Sequence, residues 1–402
     1  MDADHFDTIV VGAGILGLAV AREVLARRPA ERVLVVEREA APATHQSSHN
    51  SGVVHGGVYY PPGSLKARLC VEGAARMVAY CEANAIGVRP IGKLIVALAP
   101  GELPALDELE RRGRANGVPA LRRLDGDGLR AIEPHAAGIA ALHSPATAIA
   151  DFGAVCRRLA ADVAAAGGEL RCGWPVCAVT SAAGEIRLRS STGDAARAAR
   201  AVFCAGLWSD RLAVLAGADA DPRIVPFRGA YRRLRPERQS LVRGLIYPVP
   251  DPRLPFLGIH LTPRLDGTVL VGPSALLAGA RDAYRPGTVR AADLRDTAAW
   301  PGTWRMARRW WRTGLTEARL AASPATFAAA AARYVPAIET GDLIPAFAGV
   351  RAQAVSRDGR LVDDFEIGTT PHAIHVRNAP SPAATSALAL ASLITDQADQ
   401  LS

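Results

Sequence analysis

The chain has 402 residues, 49% of them apolar and 21% charged, with a formal net charge of +8. That length supports a large core and two or three domains, and that balance excludes a disordered or fibrous chain. Lys66 and Lys93 are the only lysines, so the charge is an arginine charge, read mainly as surface composition and secondarily as attraction to anions or a membrane surface. No nucleic-acid partner is expected. The cysteines (Cys70, Cys81, Cys156, Cys172, Cys177, Cys204) show no C-x-x-C pair and no metal-ligand spacing, so reduced, buried thiols and no metal are expected. No apolar run is long enough to span a bilayer; 381–395 is too short and too polar. The first strand begins within about ten residues of Met1, leaving no room for a targeting leader, and a cytoplasmic protein is expected.

In chain order, Thr8 to Val11 is a strand that runs into Gly12-Ala13-Gly14-Ile15-Leu16-Gly17. A helical pattern comes next (Leu18, Ala21, Leu25), then a second apolar run, Val33 to Val36, closed by Glu37. In this strand–turn–helix–strand–acid unit Gly12 permits the tight turn, Gly14 admits a pyrophosphate and Gly17 lets helix and strand pack closely. Glu37, 20 residues after Gly17, is placed for ribose hydroxyls. The helix N-terminus offers its amides to phosphate. After Glu37 the chain enters a polar loop, His45-Gln46-Ser47-Ser48-His49-Asn50-Ser51-Gly52, ending Val53-Val54-His55-Gly56-Gly57-Val58-Tyr59-Tyr60. A loop of hydroxyl, amide and glycine residues suits a second phosphate and a flat ring, which favours FAD over a nicotinamide cofactor.

Helices are predicted over Ser64–Asn84 (inward Leu65, Leu69, Ala75, Val78, Cys81), Glu102–Asn116 and Asp125–Glu133, with a strand at Gly92–Leu98. Asp151 caps a helix that runs to Gly167-Gly168, and strands come after it at Glu169–Cys172, Pro175–Thr180 and Glu185–Ser190. Ala201 to Ser209 reads as a buried strand, an Ala205-Gly206 turn and a helix start. Ile224–Leu234, Leu257–Leu261 and Thr268–Gly272 suggest a sheet, and Pro301–Tyr334 is helical. Small residues from Asn378 to Ser386 open a last helix whose N-terminal dipole suits a flavin carbonyl.

The residues His45-Gln46, His49 to His55, Gly57 to Tyr60 and Pro62-Gly63-Ser64-Leu65-Lys66-Ala67 resemble the L-2-hydroxyglutarate oxidase/dehydrogenase family, in the D-amino-acid-oxidase-like flavoprotein superfamily. Further landmarks are Pro226-Phe227-Arg228-Gly229, Leu245 to Pro248, His260-Leu261-Thr262 and Ala348 to Ser356, so the resemblance covers essentially the whole chain. It implies an α/β and α+β fold. A Rossmann-like FAD domain would be assembled from 1–85, 150–222 and 344–402, and a substrate domain with a mostly antiparallel sheet from 86–149 and 223–343. It implies cofactor contacts from Gly12, Gly14, Ile15, Gly17, Glu37, Arg38, Gln46, Ser47, Ser48, Asn50, Ser51, Gly52, Val176, Ala205, Gly206, Arg351, Ser381, Ala383 and Ala384.

The implied chemistry is oxidation of an L-2-hydroxy dicarboxylate, with hydride passing to the flavin and a base taking the hydroxyl proton. Histidine is the natural base; His55 ranks first, with His49 and His260 as alternatives. A dicarboxylate needs cations at its ends, for which Arg228, Arg351 and Lys66 are candidates, with Tyr60, Tyr247 and His260 as donors. The alternatives are an amine oxidase of the same superfamily, acting on glycine or sarcosine, and a flavin-binding protein without turnover. Electrons are expected to leave to quinone or oxygen. Trp300, Trp304, Ala307, Trp311 and Leu315 fall near one helical face flanked by arginines. They either pack on the substrate domain or hold the protein peripherally on the inner face of the bacterial membrane.

Overall fold

The computed structural model describes residues 5–182, 184–251, 254 and 256–401. The strand His5–Val11 sits centrally in a sheet, parallel to Val33–Val36 on one side and to Ala195–Phe203 on the other. Every residue of Val33–Val36 is buried, as a parallel strand covered on both faces requires. Glu169–Arg171 extends one edge in parallel, the hairpin Val176–Ala182/Glu185–Ser190 extends the other, and Ala373–Asn378 joins parallel to Ala195–Phe203. Helices Ile15–Arg27, Leu65–Ala83, Phe152–Ala165 and Ala383–Ala398 share the core on one face. Gly17 is required there: a Cβ would collide with the Gly12 carbonyl. This nucleotide-binding unit is therefore built from separated stretches of chain, as expected.

The second sheet is mostly antiparallel. The long strands Arg223–Leu234 and Leu343–Val355 pair along their length, and Val269–Gly272, His260–Pro263, Leu245–Pro248 and Lys93–Ala97 continue the sheet. Leu245–Pro248 and Lys93–Ala97 run parallel. Residues 344–355, grouped by sequence with the nucleotide-binding part, thus belong to the second sheet, because their backbone groups are paired with 223–234.

Several local expectations are corrected. Ala75 is exposed, because the buried face of Leu65–Ala83 runs through Lys66, Leu69, Cys70, Gly73, Met77 and Tyr80. The helical stretch from Pro301 is broken at Ser323, which caps a second helix, Pro324–Ala332, by accepting from the Thr326 amide. The cysteines are all free, but Cys177 is exposed, and Cys172 and Cys204 are only partly covered. Trp300 leaves the outer face of its helix: it is buried and donates to the Val355 carbonyl at 2.9 Å. Trp304, Trp311 and Leu315 remain 64%, 55% and 51% exposed. Among the described residues no helix is long and apolar enough to cross a membrane, and no cluster could hold a metal ion.

Candidate active site

A cavity of about 1180 Å³ lies where the two sheets meet. Its nucleotide end is built by the glycine turn. Gly12 has φ of +105°, and a Cβ there would stand 2.5 Å from the Cys204 carbonyl oxygen. Gly14 faces the cavity, where a Cβ would meet Ser47 Oγ at 3.1 Å. The Ile15 amide donates to that hydroxyl at 2.9 Å, so turn and polar loop are joined at the helix N-terminus, whose free amides are of the kind that suits a phosphate. Glu37 accepts from the Ala13 amide at 2.8 Å and from Glu39 N at 3.0 Å, bracing the turn from below.

Arg38 stacks 3.9 Å above the Trp208 ring, and Val176 forms part of the wall at the same end. The polar loop is self-braced. Asn50 donates to the Gln46 and Ser47 carbonyls at 3.0 and 2.8 Å, and its own carbonyl accepts from the Gly52 amide at 2.8 Å. His49 also lines the cavity, bonding the His45 carbonyl at 3.0 Å and packing on Tyr284. Gln46, Ser51, Ala205, Gly206, Ser381, Ala383 and Ala384 line the same cavity; Gly17, Ser48 and Gly52 stand behind it.

The other end gathers His55, Tyr59, Tyr60, Tyr247, His260 and Arg351. His260 donates from Nδ1 to the Gly258 carbonyl at 3.0 Å, which leaves Nε2 with its lone pair. Burial, opposed by that bond and helped by Arg351 and Lys93, pulls its pKa down to about 3. His55 Nε2 is 3.4 Å from Ser381 Oγ, and its Nδ1 is 3.5 Å from the Lys93 ammonium nitrogen. Burial first, then Lys93 and His260, hold its pKa well below the ordinary value. Arg351 Nη1 is buried with no hydrogen-bond partner among the described residues. Burial lowers its pKa, and Tyr231 and Glu317 oppose the shift.

Two expected clamps do not converge on this end. Arg351 pairs in register with Phe227, whereas Arg228 pairs with Val350, so the two arginines project from opposite faces of their strand pair. Arg228 reaches instead toward the Tyr284 carbonyl at 3.5 Å and does not line the cavity. Lys66 does not itself line the cavity: it is buried directly behind the wall, held at 2.8 Å by Asp363, which does line it, and over the Tyr60 ring at 5.5 Å. Lys93 and Tyr59 were not singled out by sequence. The signal for Lys93 was a cation inside an otherwise apolar strand, all of whose residues are buried.

The sequence profile described as FAD dependent oxidoreductase (DAO) matches residues 7–397. This chain belongs to that family. The glycine cradle, which a Cβ would fill at Gly12 and crowd at Gly14, fits the FAD this oxidoreductase family uses. A relative from Nematostella vectensis, named mitochondrial L-2-hydroxyglutarate dehydrogenase, is 42% identical, spanning 98% of this chain and 91% of its own. One of the same name from Homo sapiens is 42% identical over 98% of this chain and 89% of its own. The L-2-hydroxyglutarate dehydrogenase of Indibacter alkaliphilus is 41% identical over 98% of both. In fold, the oxidoreductase resembles an L-α-glycerophosphate oxidase from Mycoplasma pneumoniae with FAD bound, with a TM-score of 0.80, 22% identity and coverage of 98% and 95%.

Proposed function

We propose that this FAD-dependent oxidoreductase oxidises L-2-hydroxyglutarate to 2-oxoglutarate. The observation that carries the reading is Arg351, a buried guanidinium with an unpartnered Nη1 in the cavity that also holds the glycine cradle. Such a cation calls for an anionic partner, and the name shared by relatives at about 42% identity supplies one. Gly12, Gly14, Ile15, Glu37, Ser47 and Gly206 would hold FAD, which when bound would supply the two-electron acceptor for the hydride from the α-carbon. Arg351 holds one carboxylate. The Tyr59 hydroxyl, also buried without a partner among the described residues, donates to the second, beside Tyr247. His55, kept neutral by burial, takes the hydroxyl proton.

The test is a panel of 2-hydroxy acids and of glycine and sarcosine, with bleaching of the flavin spectrum as readout. Fast bleaching by L-2-hydroxyglutarate alone supports the reading. Bleaching by the amines, or by none, replaces it with the amine oxidase or the non-catalytic binder.

Electrons then pass to quinone at an anionic membrane surface rather than to oxygen. Exposed Trp304, Trp311 and Leu315, with Arg305, Arg308, Arg309 and Arg312 around them, support this. The protein is then cytoplasmic and peripherally bound.

A further inference from the structure

Lys93 lies in the middle of the second sheet, paired to Leu245 on one side and Ser144 on the other, and is 1% exposed. From a central strand its side chain cannot snorkel to water. Among the described residues no carboxylate pairs with it: its nitrogen is 3.5 Å from His55 Nδ1 and sits over the Tyr247 and Tyr59 rings, at 4.6 and 5.1 Å. A buried ammonium in such a place is costly. The other groups acting on the pair are the Cys70 thiol, from the helix Leu65–Ala83, and His260, from the strand beyond Leu245–Pro248.

His55 alone is a poor proton acceptor. Its base strength is reduced by burial, and a proton left on it would face Lys93 and His260. We propose that Lys93 is the terminal proton acceptor of the reaction: His55 takes the substrate proton at Nε2 while its Nδ1 proton passes to the neutral amine of Lys93. This rests on the hydroxy-acid reading above.

The geometry sets the order of the protons. When Lys93 is an ammonium it can only donate, so it bonds the Nδ1 lone pair and leaves His55 with hydrogen on Nε2. In that form the face toward Ser381 and the cavity is a donor and cannot accept. When Lys93 is an amine it accepts from Nδ1–H, and Nε2 turns its lone pair to the substrate. In the step the substrate O–H bond breaks and N–H forms at His55 Nε2. His55 Nδ1–H breaks and a third N–H forms on Lys93. The oxygen's electron pair becomes the carbonyl π bond, and the C–H pair leaves as hydride, which bound FAD would accept. The product complex is the ammonium form, which loses its proton to solvent before the next turnover. Burial, partly offset by Cys70, brings the Lys93 pKa down to about 8, a value from which a proton is readily gained and lost. The 3.5 Å separation is at the outer limit of hydrogen bonding, and such contacts commonly tighten in the substrate complex.

Two readouts test this on the FAD-loaded protein. In 15N-histidine spectra, with the His55 signal assigned by its loss in His55→Gln, the tautomer should change from Nε2–H to Nδ1–H as pH rises through about 8. In Lys93→Met that change should vanish. The rate of flavin reduction by L-2-hydroxyglutarate should rise through the same inflection in the wild type. In Lys93→Met, with FAD retained, it should fall by about 10²-fold, with the inflection near pH 8 lost and only that of His55, which burial holds below the ordinary imidazole range, remaining. Lys93→Arg keeps a donor that cannot be deprotonated and should stay slow at every pH. A His55 tautomer that does not change, or a Lys93→Met protein with the wild-type inflection, overturns the relay. If Lys93→Met does not fold, the wild-type spectra and Lys93→Arg decide. If wild-type flavin is not reduced by the hydroxy acid, the substrate reading fails, while the tautomer change still reports on the pair.

Discussion

Arg351→Met keeps the length and apolar stem of the side chain and removes the cation. In the free protein that cation is buried, has an unpartnered Nη1 and faces the Phe256 ring at 5.0 Å. Removing one partner of a buried charged contact costs about 2–5 kcal/mol of binding, or roughly 30- to 5000-fold in Kd. Tyr231, close enough to oppose the shift in Arg351, and the Tyr59 hydroxyl still offer donors to the ligand, so the expected loss is about 3 kcal/mol, roughly 150-fold. Titrating the flavin spectrum with 2-oxoglutarate, which cannot reduce it, measures binding without turnover. The same substitution removes a buried charge that Tyr231 and Glu317 offset only in part, so the midpoint of urea unfolding without ligand should hold or rise. A variant that binds 2-oxoglutarate as the wild type does refutes the carboxylate clamp. One that unfolds earlier shows Arg351 to be a structural cation.

Gly14→Val places two methyls where Ser47 Oγ already stands 3.1 Å from a bare Cβ, and should yield protein without flavin absorbance; a full complement of FAD would count against the cradle. His375 lies away from the cavity, bonded to Thr370 Oγ1 at 2.8 Å, with its pKa pulled down by burial to about 4. The unfolded chain therefore binds the extra proton first, and stability present above about pH 6.5 is lost as pH falls toward about 4, on the order of 3 kcal/mol for this one residue. In His375→Phe the urea midpoint should decline less steeply across that window, and an unchanged slope would remove His375 as a contributor. Replacing Trp304 and Trp311 by serine should abolish sedimentation with anionic vesicles at low salt while sparing flavin reduction; wild-type protein that ignores such vesicles and reoxidises in air as fast as it is reduced would make the helix face mere surface.

The nucleotide-binding unit was legible because its signals are local. Strand, glycine turn, helix and Glu37 succeed one another within 37 residues, and each has a composition that only its own conformation tolerates. Arg351 could be singled out because an arginine amid Ala348, Gly349 and Val350 has no solvent-facing run to belong to. Loop bracing by Asn50 was hidden, since its carbonyl partners carry no side-chain signature. The Asp151 cap, read from sequence, accepts from the Ala154 amide at 3.0 Å because such a bond spans only three residues.

The nucleotide-binding unit and the kinds of group the reaction needs are thus set by local sequence. Which groups meet is set by tertiary structure. Strand register turns Arg228 to the face opposite Arg351, and a one-residue difference in pairing, invisible in composition, is enough to do so. Asp363 approaches from 297 residues away and holds Lys66 behind the cavity wall. Lys93 reaches His55 because the polar loop and a central strand of the second sheet are packed together. Periodicity specifies the buried face of each element; the neighbour across that face is set only when the separate pieces close on one another, and the chemistry of this cavity arises there.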